Sequence, residues 1–438
     1  MSHAGIDAEP DLAADGERPG PARRRAPLCS AHPGEPLDPS VLDDPHPFFA
    51  RLRDAHPLSR VGETGVHLVT SWVLIDEVLQ REEDFSAHLT GVLIRGEEGL
   101  PSCFALPETG ATQVMATADE PEHTVHRALA QPRLAAPRIA ALEDRIRGWA
   151  KEALDPWIAD GGGDFAPISE IVPALAVAHL LGLPERDVQR FRAWAMMGGD
   201  MLAGDASTDR LVHLVRETSR MAEYLDSHLE TALSDPRSEP DAPLLHALAR
   251  GVRSGTIERS EAVGIAILMF GAGGESTTGL IGSAVRLLAS DVTLQDALRD
   301  TPSRIPRFVE EVVRLEPPFK FHYRTVRRTC QLGGFDLGPG DRLMLCWAAA
   351  NRDPEVFDRP DDVDLDRRHP KQHMGFGRGT HFCIGAPLAR LEARVMIEEL
   401  LARTHRIELL PGSTSGGGVE YAKSLFVRRL ERLDLRVE

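Results

Sequence analysis

The chain has 438 residues, of which 42% are hydrophobic and 27% are charged, ordinary values for a globular protein with a large buried core. Its formal net charge of −17 argues against nucleic-acid binding, because contact with phosphates needs a basic face. The five cysteines are scattered without a C-x-x-C pair, which favours a reducing cytosol over a disulfide framework, a zinc site or an iron–sulfur cluster.

The N-terminal part of the chain differs in composition from the rest. Residues 1–38 are rich in Pro, Gly, Ala and charged side chains and are predicted to form a disordered arm without a secretory signal. Residues 39–438 contain neither an internal repeat nor a dividing linker, so they are predicted to form one large domain. No uninterrupted apolar run reaches the roughly 18 residues that span a bilayer. We therefore expect a cytoplasmic protein without a membrane partner.

Helical periodicity dominates the chain from 134 to 316, for example in RIAALEDRIRGWAKEALDPWIAD. Strand-like segments are short and lie near the two ends: VHLVT comes early, and CQLGGFDLGPGDRLMLCW and RIELLP come late. The Gly-Pro-Gly at 338–340 is predicted to be the turn of a hairpin. Many helices with little sheet predict a mainly α fold with small β sheets.

The segment EAVGIAILMFGAGGESTTGLIGSAVRLLAS, residues 261–290, is apolar on all sides and predicts a core helix. Three glycines interrupt its middle: Gly271, Gly273 and Gly274. Each glycine costs about 1 kcal/mol relative to Ala, and a carboxylate in a buried helix is expensive unless it has a use. The polar residues that follow are Glu275, Ser276 and Thr277. The pattern indicates a helix weakened beside a bound ligand, with groups for proton delivery; a kinked helix with exposed hydroxyls is the alternative.

The same segment approximates the G-x-S-x-G turn of serine hydrolases, with Thr278 where the last glycine should stand. That turn follows a strand and opens a helix. Here the preceding residues predict helix instead, so a hydrolase is the weaker interpretation.

A second informative stretch, GFGRGTHFCIGAPLAR at 375–390, places Cys383 among glycines just before a predicted helix. Glycine is used where the backbone must come very close to another group, and no second cysteine lies nearby to be that group. The start of a helix also stabilises an anion such as a thiolate. These features favour a reactive cysteine over a buried structural one.

Together these two stretches resemble those of the cytochromes P450. Residues 376–385 match the heme-loop pattern F-G-x-G-x-H-x-C-x-G at every fixed position. Four other segments match the family in order and spacing: PEHTVHR (121–127), AGGES (272–276), EVVR (311–314) and HYRTV (322–326). The resemblance covers the chain from about residue 40 to the end and implies the cytochrome P450 fold for 39–438.

The resemblance implies a b-type heme whose iron is bound by the Cys383 thiolate. It also implies a monooxygenase reaction with O2 in which Glu275 and either Ser276 or Thr277 relay protons. The basic residues that it implies for the heme propionates are His123, Arg127, Arg324 and His381. The further heme contacts that it implies are Ala272, Gly273, Phe376, Gly377 and Gly385.

Two positions depart from the family pattern. Ser276 stands where the family usually has threonine, and Thr277 follows it, so either hydroxyl is a candidate. In FDRPDDVDLDR, Asp362 and Val363 replace the Arg and Phe of P-x-R-F. The usual arginine partner of the Glu311–Arg314 pair, here EVVR, is therefore missing at that point.

The chain lacks a flavin or nicotinamide fingerprint, so the resemblance implies electrons from external NAD(P)H through a ferredoxin reductase and a ferredoxin. We expect an acidic ferredoxin to dock on the cysteine side of a monomer. The candidate arginines for that contact are Arg133, Arg390 and Arg394. A heme-thiolate sensor that only binds gases is the alternative from another class; it would need neither Glu275 nor a substrate pocket.

The expected substrate is a functionalised small natural product. The candidate contacts come from PPFKFHYR, which passes over the heme in the family, and from a C-terminal loop: Lys320, Phe321, His322 and Tyr421. Residues 88–118 are the predicted lid. The pieces FHYR and EYAKSLFVR resemble bacterial P450s that tailor aromatic cyclodipeptides, by hydroxylation or coupling. Polyketide, terpenoid or peptide hydroxylation are the alternatives.

Overall fold

The computed structural model describes residues 30–31, 35–96, 99–106, 112–235, 242–410 and 418–438. Most of the predicted disordered arm, residues 1–38, therefore lies outside the described residues. The part that is described includes a short helix, Glu35–Leu37, in which Leu37 is buried. The packed unit thus begins a few residues before the predicted boundary at 39.

Helices make up most of the fold, which confirms the prediction of a mainly α protein with small sheets. The helices of the described residues are α1 (Pro39–Asp43), α2 (His46–Ala55), α3 (Trp72–Gln80), α4 (Glu122–Ala130), α5 (Ala136–Ala140), α6 (Glu143–Ala159), α7 (Ala166–Ser169), α8 (Ile171–Leu181), α9 (Val188–Ala195), α10 (Met197–Met201), α11 (Thr208–Ser234), α12 (Leu244–Arg253), α13 (Arg259–Met269), α14 (Ser276–Ser290), α15 (Val292–Asp300), α16 (Ile305–Leu315), α17 (Trp347–Ala350) and α18 (Ala386–Arg403).

Short strands form four small sheets within the described residues. The strands are β1 (Ser30–Ala31), β2 (Leu58–Val61), β3 (Val66–Val69), β4 (Phe85–Ser86), β5 (Gly91–Arg95), β6 (Pro101–Ala105), β7 (Gly162–Asp164), β8 (His322–Val326), β9 (Cys330–Leu332), β10 (Phe335–Leu337), β11 (Arg342–Leu345), β12 (Ile407–Leu409), β13 (Val419–Tyr421) and β14 (Leu430–Val437). The largest sheet has the order β1-β2-β3-β11-β8-β4. In it, β11 runs parallel to β3 and antiparallel to β8.

The predicted hairpin turn is wrong. The hairpin is formed by β9 and β10, and its turn is Gly333–Gly334, where both residues have positive φ (56° and 83°). Gly338–Gly340 instead carries the chain from β10 into β11, which belongs to the largest sheet. Two glycines at positive φ suit a two-residue hairpin turn better than Gly-Pro-Gly does.

The central helix consists of α13 and α14, joined by a π-helical turn, Phe270–Glu275. This turn contains the three glycines that the sequence singled out. A Cβ added to Gly274 would lie 2.5 Å from the Cβ of Ala195, so glycine is what lets α9 pack directly on the turn. The weakened part of the helix is therefore a place where neighbouring helices approach closely, and π-helical turns are frequent at functional sites.

This central helix, Arg259–Ser290, is also long and apolar enough to cross a membrane by length and composition alone. Of its most apolar window, 61% is buried inside the protein. Leu280, Ile281 and Leu288 are among its residues that pack in the hydrophobic core with α16 and α18. Its apolar character is accounted for by burial in this fold.

Candidate cofactor site

A cavity with about 1460 Å³ of empty space, including its mouth, lies between the central helix and the loop that precedes α18. It brings together most of the predicted site residues. Those on its lining are His123, Arg127, Ala272, Gly273, Ser276, Thr277, Arg324, Phe376, Gly377, His381, Cys383 and Gly385. Segments that are far apart in the sequence thus meet around one space, as the resemblance implies.

Cys383 is partly buried and lines the cavity. Its amide donates to the carbonyl oxygen of Phe376 at 2.9 Å, which closes the loop. Burial raises the pKa of the Cys383 thiol, while hydrogen bonds from the amides of Gly385 and Ala386, at the start of α18, act in the opposite direction. A metal ion bound to the sulfur would deprotonate it outright, so this sulfur at a helix start suits a thiolate ligand.

A cluster of basic side chains lies at one edge of the cavity. The rings of His123 and His381 are 4.1 Å apart, and Nδ1 of His381 is buried without a hydrogen-bond partner in the described part of the chain. Burial, together with Arg324 and His123, lowers the pKa of His381 to about 3. Burial also lowers the pKa of Arg324 to about 10. The charged Arg324 needs an anionic partner and Nδ1 of the neutral His381 needs a hydrogen-bond partner, and the two propionates of a heme would supply both.

Glu275 is buried within the stretch that borders the cavity but is not itself among the residues that line it. Its carboxylate is 1% exposed and accepts hydrogen bonds from the amide of Gly199 in α10, at 2.7 Å, and from Nε of Arg429, at 3.2 Å. Burial raises the pKa of Glu275 to about 8, and Arg429 opposes this shift. The sequence did not predict either hydrogen-bond partner of Glu275, because Gly199 and Arg429 lie 76 and 154 residues away from it in the chain. The double glycine in MGGDM was the only sequence feature that indicated a close approach at Gly199.

The two candidate hydroxyls differ in their surroundings. Ser276 donates its hydroxyl to the carbonyl of Ala272 at 2.5 Å. Thr277 is buried, lines the cavity and has no hydrogen-bond partner among the residues that the structure describes.

Ser276 lies in a continuous helix and not on a turn that follows a strand. This placement rules out the G-x-S-x-G turn of a serine hydrolase.

Only one of the four predicted substrate residues reaches the cavity. His322 lines it, as does Arg324 two positions later. Lys320 is buried and donates to the carbonyl of Ser424, and Phe321 packs against Phe426, with ring centroids 5.4 Å apart. His322 and Arg324 lie two positions apart in β8 and so face the same side, whereas Lys320 and Phe321 precede that strand.

Tyr421, the fourth predicted substrate residue, lies at a different cavity, with Arg286 and Glu316. The guanidinium carbon of Arg428 is 3.3 Å from the centroid of its ring. This placement corrects the prediction that Tyr421 contacts substrate. Of the predicted lid, 97–98 and 107–111 lie outside the described residues, and the rest includes the β5–β6 hairpin.

The missing arginine of P-x-R-F is supplied by a residue later in the same segment. Glu311 accepts from Nε of Arg314 and from Nε of Arg367, each at 2.8 Å. Glu311 and Arg314 are both fully buried. Asp362 contributes only its backbone carbonyl, which accepts from Arg314 at 2.8 Å. Arg367 therefore completes the network that the sequence left open.

The arginines predicted to receive ferredoxin are engaged within the protein. Arg390 pairs with Glu310 at 2.7 Å, and Arg394 pairs with Glu143 at 2.6 Å. Arg133 is 8% exposed. This corrects the prediction that these three side chains are available as surface cations for a partner.

The fold and the residues around the cavity fit a heme-thiolate protein. A sequence model of the cytochrome P450 family matches residues 305–415. The chain is 38% identical over 403 residues to cytochrome P450 144 of Mycobacterium tuberculosis, which covers 91% of this chain and 90% of that protein. It therefore belongs to the cytochrome P450 family, whose members are heme monooxygenases that act on small molecules.

Other relatives agree with this assignment. The erythromycin C-12 hydroxylase of Saccharopolyspora erythraea is 31% identical over 381 residues, 86% of this chain and 90% of that protein. The structure of CYP109E1 from Bacillus megaterium in complex with testosterone matches with a TM-score of 0.78 at 26% identity, covering 91% of this chain and 99% of that one. CYP150A6 of Mycobacterium marinum matches with a TM-score of 0.76 at 29% identity, covering 92% and 97%.

Proposed function

We propose that this protein oxidises a functionalised small natural product, by hydroxylation or oxidative coupling, and that an aromatic cyclodipeptide is the first substrate class to test. The observation that carries the oxidative function is the cavity shared by Cys383 and the Ala272–Thr277 stretch. A related protein is named as a hydroxylase of erythromycin, and a structural neighbour was solved with testosterone. Polyketides, terpenoids and peptides are the alternative substrates. A screen of such compounds for a low-spin to high-spin absorption shift tests the substrate class.

A heme bound by a thiolate supplies the electron transfer and the O2 chemistry of this reaction. The chain's own residues hold the propionates, exclude water and deliver protons. Glu275 is the proposed acid, because a carboxyl group with a pKa of about 8 is protonated at neutral pH and can donate. Thr277 is the proposed hydroxyl on the cavity side, since the hydroxyl of Ser276 is held by Ala272.

Replacing Glu275 by glutamine tests the proton relay. The substitution keeps the shape of the side chain and removes its exchangeable acid proton, so we expect product formation to fall about 10²-fold or more and H2O2 release to rise. In the unmodified protein, the yield of product per NAD(P)H should fall as the pH rises through about 8, the pKa of Glu275. In Glu275→Gln this pH dependence should be absent. Unchanged coupling and pH dependence in the variant would contradict the relay.

Two neighbouring glycines provide a matched pair of further variants. A Cβ on Gly199 would lie 2.4 Å from a carboxylate oxygen of Glu275, whereas a Cβ on Gly198 would lie 3.8 Å from one. Gly199→Ala should therefore displace the carboxylate and reproduce part of the uncoupling, and Gly198→Ala should couple like the unmodified protein. Equal behaviour of the two variants would show that the position of the carboxylate does not matter.

For electron supply we propose NAD(P)H, ferredoxin reductase and a ferredoxin, acting on a cytoplasmic monomer. The docking site that we favour is centred on Phe382, which is 41% exposed next to Cys383. Electrostatic docking predicts that ferredoxin-dependent reduction slows as salt is added. Stopped-flow reduction rates that do not change with salt would contradict it.

A further inference from the structure

The tautomer of His322 is set by a single contact. The indole Nε1 of Trp347, the first residue of α17, donates to Nδ1 of His322 at 2.7 Å. An indole N–H can only donate, so Nδ1 must be the unprotonated, accepting nitrogen. A neutral imidazole then carries its hydrogen on Nε2.

The ring of His322 is also held in place by aromatic neighbours. Phe319 and Phe426 meet it edge to face, with ring centroids 5.7 and 5.8 Å away. Nε2 has no hydrogen-bond partner within the described residues, and the side chain borders the cavity. Burial, and the nearby Arg324, lower the pKa of His322 to about 3, so the ring stays neutral.

Besides His322, the lining contains Arg324, which would be taken up by the heme propionates, and the hydroxyls of Ser276 and Thr277. Its apolar members include Met115, Ala116, Val177, Leu268, Met269 and Phe319. The described lining contains no aspartate or glutamate, so the cavity offers nothing to pair with a cationic ligand. A fixed neutral donor on an apolar wall selects a ligand with a neutral acceptor, because an unpaired polar group is costly there.

We propose that His322, oriented by Trp347, is the specificity-determining hydrogen-bond donor of this enzyme and that it recognises a neutral acceptor, such as a carbonyl oxygen, on the substrate. The inference rests on the proposed oxidative function and adds the substrate's chemical class. Trp347 is a positioning residue: it acts by keeping the hydrogen on Nε2. An amide or ketone carbonyl fits this donor, whereas an ammonium group does not.

Binding of two matched probes, 4-phenylcyclohexanone and phenylcyclohexane, tests the proposal in the heme-loaded protein. Dissociation constants come from the low-spin to high-spin absorption shift. We expect the ketone to bind about tenfold more tightly than the hydrocarbon, the effect of one net hydrogen bond. His322→Phe should abolish this preference, and Trp347→Phe should reduce it. His322→Gln, which keeps an N–H donor, should retain part of it, and Tyr421→Phe, at the other cavity, should leave it unchanged.

The remaining outcomes each count against the proposal. Failure of the ketone to bind the unmodified protein, or a preference that survives in His322→Phe, overturns it. So does a result in which His322→Phe weakens heme retention or shifts the reduction potential while the ketone preference stays, because His322 then donates to a heme propionate instead. Nitrogen NMR of ¹⁵N-histidine-labelled protein, reduced and CO-bound, reports the tautomer directly; a hydrogen on Nδ1 of His322 also overturns it.

The absorption spectrum of the reduced, CO-bound protein separates this inference from the proposed function. A thiolate-type Soret band in every variant shows that heme and Cys383 are intact, so that a lost ketone preference concerns His322 alone. Absence of the band in the unmodified protein counts against the proposed function and against the inference that rests on it.

Discussion

Cys383→Ala is expected to remove the thiolate-type Soret band of the reduced, CO-bound protein and to lower turnover to the uncatalysed background. The reason is that no other cysteine lines the described cavity, so that no second sulfur is in place to donate electron density to the iron and favour O–O cleavage. The measurements are the CO difference spectrum and product formation after heme supplementation.

Cys103→Ser is the matched control for this experiment. Cys103 lies in β6, partly exposed, and is not among the residues that line the cavity. Its replacement should leave both the spectrum and the turnover unchanged. A Cys383→Ala protein that keeps its pigment and its chemistry would contradict the assignment of the iron ligand.

Arg367→Ala is expected to lower the free energy of unfolding by about 3–5 kcal/mol, the cost of breaking a buried ion pair. Arg367 shares the carboxylate of Glu311 with Arg314, and all three side chains are buried. Burial alone would raise the pKa of Glu311, but the hydrogen bonds from both arginines hold it below its ordinary value. Because that pKa is depressed, the stabilisation is present near neutral pH and is lost as the pH falls.

Asp362→Ala, at the position where the family pattern has its arginine, is the matched control. The side chain of Asp362 is exposed, so its removal should change stability by no more than about 0.5 kcal/mol. Arg367→Lys should fall between the two, because lysine keeps the charge but not the planar fork. Denaturant unfolding followed by circular dichroism measures all three, and equal stability of Arg367→Ala and Asp362→Ala would contradict the role of Arg367.

The features that the sequence predicted correctly are local in the chain. The cysteine, the glycines around it and the helix that follows lie within 375–390, so that one short pattern specifies their geometry. The interruption of the central helix is local in the same way: it becomes a π-helical turn at Phe270–Glu275. Composition and periodicity were likewise sufficient to predict a mainly α fold, because the spacing of apolar residues shows which face of each helix is buried.

The features that the sequence left open depend on contacts between distant segments. Arg429, Trp347 and Arg367 acquire their roles only when the fold places them beside Glu275, His322 and Glu311. Tyr421 was assigned to the wrong surface because the direction of a side chain on a strand depends on the register of its pairing. Lys320 was assigned wrongly because its contact is with Ser424, 104 residues away. The sequence of one segment alone reports neither the register nor the distant contact.

The close approach of α10 to the central helix also limits how this sequence can vary. A Cβ at position 199 would lie 2.4 Å from an acid oxygen of Glu275 and 2.6 Å from Cγ1 of Val427, so a larger residue there requires both side chains to move. A descendant that shortens or loses the acid would remove the tightest of these contacts, and a smaller side chain at position 427 would remove the other. Positions 199, 275 and 427 should therefore evolve together, although 76 residues separate the first two in the chain.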